Sequence, residues 1–387
     1  MRATQARVHL GSFKENLSRI RQHVGASVKM CVAVKADAYG HGIVPVARVA
    51  RAEGVEYLAT ATVDEALALR DAGDTGPVIL YSLPGRHELD ELIARRITPV
   101  IADLELATHI AEAVRRRARD EVFPVHLKVD TGMGRIGCRP EHALAIARFI
   151  SESHHISMDG MSTHFPVSDG DDPDYTREQI ARFTAVLDQI RSAGLSTGLV
   201  HSANSGAVLD QPHAYFDMIR PGILTYGYYP STLQKRSVEV HPVMELVSEL
   251  SFVKDVFEGE SVSYGRTWIA SRHTRVGTVT IGYGDGYMRA LSNKAEVFVG
   301  GRRCPIVGTI CMDQLMVDLG PESADRVGDE VILFGPGTGL SGQDGDTSED
   351  ISSRPPDAIE LAALAGTIPY EILTNVNKRV PRVYLED

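Results

Sequence analysis

The sequence predicts an α/β protein, an N-terminal (β/α)8 barrel of the TIM type followed by a mainly β C-terminal domain. Three observations carry the prediction. Between residues 28 and 220, eight short apolar, β-branched runs alternate with amphipathic helical stretches, the pattern of a parallel sheet with helical crossovers. Beyond Tyr226-Gly227-Tyr228-Tyr229-Pro230 the texture changes to period-two alternation broken by glycine turns. Polar residues with useful chemistry fall again and again just after the predicted strands, where a barrel of this kind keeps its site. At 387 residues the chain also exceeds the size one hydrophobic core usually serves.

A first helix is predicted over 12–23, with Phe13, Leu17 and Ile20 at helical spacing behind Ser12 as N-cap. The eight strands follow at 28–34, 57–60, 78–81, 98–101, 122–129, 158–164, 199–202 and 216–220. Helices are expected between them at 43–53, 63–71, 86–95, 104–117, 141–152, 174–193 and 205–209. An open doubly wound sheet is the alternative, and no Gly-x-Gly-x-x-Gly follows the first strand to support it. The domain boundary is placed near residue 235, giving a barrel over 1–235 and a β domain over 236–387. In the second domain, strands are predicted at 244–256, 274–281, 296–299, 304–307, 314–319 and 330–334, then a helix from 356 or 357 to 364 and a strand at 379–385. The intervening stretch 335–356, rich in glycine, serine and acidic residues, reads as an exposed loop.

Composition narrows the function. A formal net charge of -11 argues against nucleic acid, whose phosphates call for a basic stripe. The one basic run, Arg115-Arg116-Arg117, reads as a solvated helix face. No uninterrupted apolar stretch reaches membrane-spanning length, so a cytosolic enzyme is expected. Cys31, Cys138, Cys304 and Cys311 are scattered without metal-type pairing, and neither a disulfide nor a metal site is expected.

Chemistry collects first at Ala33-Val34-Lys35-Ala36-Asp37-Ala38-Tyr39-Gly40-His41-Gly42. The apolar run before it delivers Lys35 to a strand end, where burial favours the neutral amine, the form that attacks a carbonyl to make a Schiff base. That chemistry suits an aldehyde cofactor. The fifth strand leads into Lys128, Asp130 and Arg135, the sixth ends at His164, the seventh runs into Asn204-Ser205, and the eighth gives Arg220-Pro221-Gly222-Ile223. Barrels commonly hold phosphate with the loops after strands seven and eight, and Ser205 and the Gly222 amide stand there. Taken singly, Arg135 reads equally as a solvated charge, His164 as a satisfied core histidine and Ser205 as a helix cap. Their common position on one rim points to a site.

These stretches, with Thr163-His164-Phe165, Ser263-Tyr264-Gly265, residues 282–287, Cys311-Met312-Asp313-Gln314 and Arg379-Val380-Pro381-Arg382, resemble the alanine racemase family along nearly the whole chain. The resemblance implies pyridoxal 5′-phosphate as cofactor, joined to Lys35 as a Schiff base. It implies that Tyr39, Asn204, Ser205, Gly222, Ile223 and Tyr370 surround the phosphate end, and that Arg220, backed by His164, meets the pyridine nitrogen. It further implies a homodimer in which Tyr264 and Met312 reach the partner's site, with Arg135, Tyr283 and Met312 around the alanine substrate. In many members the lysine matching Lys128 is carbamylated and orients the arginine matching Arg135. Two departures stand out: Pro369 replaces the asparagine usual beside the phosphate-binding tyrosine, and the 340–356 stretch is longer than usual. His9 stands where aspartate is frequent.

Racemisation requires a proton to leave one face of Cα and return to the other, so two acid/base groups must flank it. Lys35 and Tyr264 are the expected pair, the phenol helped by a chain from Arg220 through His164. The implied role is D-alanine supply for peptidoglycan. A broad-specificity or serine-accepting racemase of the same fold is the nearest alternative. A barrel-type amino-acid decarboxylase would carry cysteine where Tyr264 stands, and a non-catalytic cofactor-binding barrel would lack a β domain.

Overall fold

The computed structural model describes residues 3–117, 121–170, 172–231, 233–336 and 351–386. Its first eight-stranded sheet is parallel throughout, in the order Leu199–His201, Ile156–Ser162, Phe123–Lys128, Thr98–Ile101, Val78–Leu80, Tyr57–Thr60, Lys29–Ala33 and Met218–Ile219. Backbone bonds from Asp217 N to Val200 O (2.9 Å) and from Arg220 N to Ala203 O (2.8 Å) bridge the remaining seam and close the barrel. The strands are short and buried because helices cover the sheet on the outside, as apolar runs such as Met30, Cys31 and Val32 require.

The crossover helices bury the faces the sequence marks. Leu10–Val24 buries Phe13, Leu17 and Ile20. Val63–Asp71 begins at Thr62, whose hydroxyl accepts from Glu65 N while the Glu65 carboxylate accepts from Thr62 N, a reciprocal cap. The expected helices at 86–95 and 141–152 each open with one tighter turn, Arg86–Glu88 and Pro140–His142. The last barrel strand shrinks to Met218–Ile219 because Phe216 adopts a left-handed conformation (φ 49°), which no strand continues through.

The second sheet runs Arg302–Pro305, Glu296–Val299, Glu330–Phe334, Met244–Val256, Gln5–His9 and Arg382–Leu385, with Thr274–Val279 and Leu315–Gly320 continuing from the far half of Met244–Val256. A register shift between Leu250 and Phe252 lets that one long strand serve both parts. Gln5–His9, which the sequence reading left unassigned, pairs with Met244–Val256 on one side and Arg382–Leu385 on the other. Its signal was present in miniature: Ala6 and Val8 are fully buried between more exposed neighbours. Most of the expected 335–356 loop, residues 337–350, lies outside the described residues. The helix Ala358–Ala365 is capped by Asp357, and a second, unpredicted helix, Pro369–Asn375, starts at a proline in the position where a missing N–H is harmless. Among the described residues no helix is long and apolar enough to cross a membrane.

Candidate active site

Lys35 follows its strand by two residues and opens an unusual turn. Ala36, Asp37, Ala38 and Tyr39 all adopt left-handed backbone angles, with φ between 51° and 55°. Such angles disfavour residues with a Cβ, so the surroundings must hold the turn in place. Glu65 supplies one tether: its Oε1 accepts from Ala36 N at 2.6 Å while Oε2 accepts from Ala61 N at 2.8 Å. Asp37 Oδ1 accepts from Ile43 N at 2.7 Å, and Gly40 passes so close to the helix Pro369–Asn375 that a Cβ would lie 2.4 Å from Leu373 O. The turn swings the Tyr39 ring inward, 4.8 Å from the Tyr226 ring and 5.9 Å from that of Tyr370.

One cavity at the C-terminal end of the barrel gathers Lys35, Tyr39, Lys128, Arg135, His164, Asn204, Ser205, Arg220, Gly222, Ile223 and Tyr370. Four of these are basic residues, with Asp169 the acidic residue in the wall, so the cavity leans positive in a chain that is acidic overall. It therefore suits a ligand with several negative charges. At one end Ser205 Oγ accepts from Gly222 N at 2.8 Å, and Tyr39 Oη lies where a Cβ on Gly222 would approach to 2.6 Å. Only glycine leaves this cup of hydroxyls and amide open. Asn204 also lines the wall, but its Oδ1 caps the helix Ser205–Asp210 through Ala207 N and its Nδ2 donates to Phe165 O.

Arg220 is buried and tied by many bonds. Its Nη2 donates to Thr163 O (2.8 Å), Ser202 O (2.9 Å) and His164 Nδ1 (3.2 Å), and its Nη1 donates to His201 Nδ1 (3.0 Å). Its guanidinium carbon also stands 5.6 Å above the Tyr81 ring. Burial, then Lys128 and Arg220, push the His164 pKa well below the usual histidine value, so this ring is neutral. Burial followed by Arg220 and Arg135 lowers Lys128 strongly, and among the described residues its side-chain nitrogen has no hydrogen-bond or ion-pair partner. Lys35 remains open to solvent at the cavity mouth, yet the protein crowding it, with Arg135 beside it, lowers its pKa too. Burial raises the phenols of Tyr39 and Tyr370, which stay protonated as donors.

Tyr264, Tyr283 and Met312 lie elsewhere, on the β domain. They are 72%, 43% and 52% exposed, unusual for such side chains. Thr309 Oγ1 donates to Tyr264 O, and Tyr283 N donates to Cys311 O, so one set of adjoining loops carries all three. Thr60 and Tyr81 also line the cavity and were not singled out in the sequence. Both end or follow barrel strands, so the rule that found Lys128 and His164 reaches them as well.

Two family profiles match the chain, "Alanine racemase, N-terminal domain" over residues 8–230 and "Alanine racemase, C-terminal domain" over 243–384. The chain belongs to the alanine racemase family. It is 43% identical to an alanine racemase of Treponema denticola over 100% of this chain and 99% of that protein. It is 44% identical to that of Treponema pallidum over 100% of both chains. Among solved structures it resembles alanine racemase of Clostridium difficile 630, with TM-score 0.91 and 35% identity over 100% of this chain and 97% of that one. The Bacillus anthracis enzyme, solved with bound L-Ala-P, matches with TM-score 0.88 and 31% identity over 100% and 96%. Alanine racemases are pyridoxal phosphate-dependent isomerases, and this cavity fits that cofactor. Its mouth holds an amine that could meet an aldehyde, its far end a cup of hydroxyls and an amide that would suit a phosphate, and Thr60 Oγ1 is buried in the wall without a partner among the described residues.

Proposed function

We propose that the protein interconverts L- and D-alanine, with Lys35 and Tyr264 of the partner subunit moving the proton on opposite faces of Cα. The observation that carries this reading is the convergence of Lys35, Arg220 and the Ser205–Gly222 cup on one cavity. When bound, pyridoxal phosphate withdraws electrons from the substrate and makes the α-proton removable. Lys35, its pKa lowered, takes or returns that proton from its own side. Arg220 would face the ring nitrogen, and because a guanidinium does not give up its proton it would leave that nitrogen unprotonated, which restrains how much electron density the ring accepts. His164 accepts from Arg220 at Nδ1, which leaves its proton on Nε2 to steady the oxygen of Tyr264 of the partner subunit. Tyr39, Ser205, Gly222, Ile223 and Tyr370 hold the phosphate, and Arg135 holds the substrate carboxylate. Carbon dioxide adding to the neutral Lys128 amine, with loss of a proton, would give a carbamate whose negative charge pairs with Arg135.

The exposure of Tyr264, Tyr283 and Met312 supports a homodimer with shared sites, in which Tyr283 and Met312 of the partner subunit narrow the pocket around a methyl side chain. Supply of D-alanine for peptidoglycan from the cytoplasm is the role that follows. The deciding assay incubates the holoenzyme with L-alanine in D2O. Cα exchange together with loss of optical rotation is expected, and release of carbon dioxide or the absence of exchange overturns the reading. Shared sites have their own test: Lys35→Ala and Tyr264→Phe subunits are mixed and allowed to exchange. Half the dimers are then hybrids with one intact site, so activity returns to about a quarter of wild type. No recovery excludes sharing.

A further inference from the structure

Beneath the cavity a line of polar groups crosses the barrel interior. Arg220 Nη1 stands 3.0 Å from His201 Nδ1, His201 Nε2 is 2.9 Å from His126 Nδ1, and His126 Nε2 is 3.1 Å from Asp159 Oδ2. Both imidazoles are fully buried, whereas the Asp159 side chain remains 38% exposed. The partners assign the protons. A guanidinium only donates, so His201 Nδ1 accepts, and its proton therefore sits on Nε2 and is donated to His126 Nδ1. The His126 proton then sits on Nε2 and goes to a carboxylate, which only accepts. Donation runs in one direction from the cation to the anion. Tyr81 Oη, at 3.4 Å from the same His201 nitrogen, is the longer contact.

Two local features accommodate this line. Val125 pairs with Met158 and His126 with Gly160, so Asp159 is the extra residue of a bulge, a device that re-aims a side chain. A Cβ on Gly160 would lie 2.5 Å from His126 Nδ1 and 2.7 Å from Leu199 O, so a bare backbone makes room for the ring. The charge states agree. Burial and then Arg220 keep His201 neutral, and the bond from His126 holds the Asp159 carboxyl below its usual range.

We propose that Asp159 and His126 are positioning residues, which through His201 fix the proton arrangement that holds the Arg220 guanidinium in one orientation at the cavity. Without the carboxylate, His126 is free to carry its proton on Nδ1. His201 is then driven to the matching form, and an imidazole N–H faces a guanidinium N–H. Arg220 must turn away from that contact. The kinetic consequence rests on the site reading above; the proton arrangement itself does not.

The test compares wild type with Asp159→Asn and Asp159→Glu. Nitrogen-15 NMR of labelled histidines in the holoenzyme should show His126 and His201 protonated at Nε2 in wild type and in Asp159→Glu. In Asp159→Asn, whose amide also donates, both rings should gain Nδ1-protonated population. Alanine racemisation by Asp159→Asn should lose about tenfold in kcat with KM within about twofold, and Asp159→Glu should restore most of it. In a His201→Asn background, Asp159→Asn should add no further loss. Unchanged ring protonation in Asp159→Asn, or fully additive losses in the double variant, overturns the proposal. A holoenzyme that shows the wild-type proton pattern yet fails to racemise alanine counts against the site reading alone.

Discussion

Glu65 does not line the cavity, yet it tethers the left-handed turn that aims Lys35 and Tyr39, and its charge acts on the Lys35 amine. Four residues in that conformation cost about 1–2 kcal/mol each, or about 4–8 kcal/mol together. The Glu65 carboxylate offsets part of this by accepting from Ala36 N at one oxygen and from Ala61 N (2.8 Å) and Thr62 N (3.2 Å) at the other. Glu65→Gln keeps the shape but only one acceptor oxygen. The amide faces two backbone donors on one side and one on the other, so its oxygen turns to the pair and its NH2 meets Ala36 N–H. A polar group left without its partner costs about 1–3 kcal/mol, and at 2 kcal/mol the turn opens about 30-fold more often. Hydrogen exchange at the Ala36 amide should accelerate by that factor, and pyridoxal phosphate should bind the apoenzyme more weakly. Wild-type exchange at Ala36 with cofactor affinity within about twofold would refute the tether.

Other outcomes follow from the same geometry. Gly222→Ala places a Cβ 2.6 Å from Tyr39 Oη and should weaken cofactor binding at least about tenfold, measured by titrating the apoenzyme. Burial lowers His41 to about 4, and His164 and His201 are also held well below the usual value, so the unfolded chain binds more protons than the folded one as pH falls below about 6.5. Stability present above that pH is lost towards the folded pKa values, for His41 alone by about 3 kcal/mol at the lower end. A urea midpoint unchanged between pH 7 and pH 5.5 would contradict this. For Lys128, carbon-13 NMR of enzyme equilibrated with labelled bicarbonate should reveal a carbamate signal that Lys128→Arg abolishes; a wild-type spectrum without that signal argues against the modification.

The barrel was legible because each strand and helix announces itself locally, through an apolar run or a 3.6-residue stripe. Lys128, His164 and Arg220 were legible because a strand end is a position that sequence can locate. What escaped depends on distant partners. Gln5–His9 is five residues long, and its neighbours lie more than 230 positions away. The turn at Ala36–Tyr39 opposes the intrinsic preference of its residues and exists only because Glu65, Asp37 and the helix Pro369–Asn375 enforce it. Pro369 begins that helix and leaves the Tyr370 ring 5.9 Å from that of Tyr39. His126 and His201 lie within barrel strands, and nothing local in the sequence announces the partners that their hydrogen bonds reveal.

Because Gln5–His9 lies between a strand from mid-chain and one from the far end, the two halves of the molecule are sewn together rather than strung in series. Cutting the chain near residue 235 therefore does not yield two self-sufficient pieces. The front fragment carries a strand with an empty berth on either side, and the rear fragment has a gap between Met244–Val256 and Arg382–Leu385. Co-expressed, the pieces should reassemble; produced singly, each should expose a raw sheet edge and precipitate.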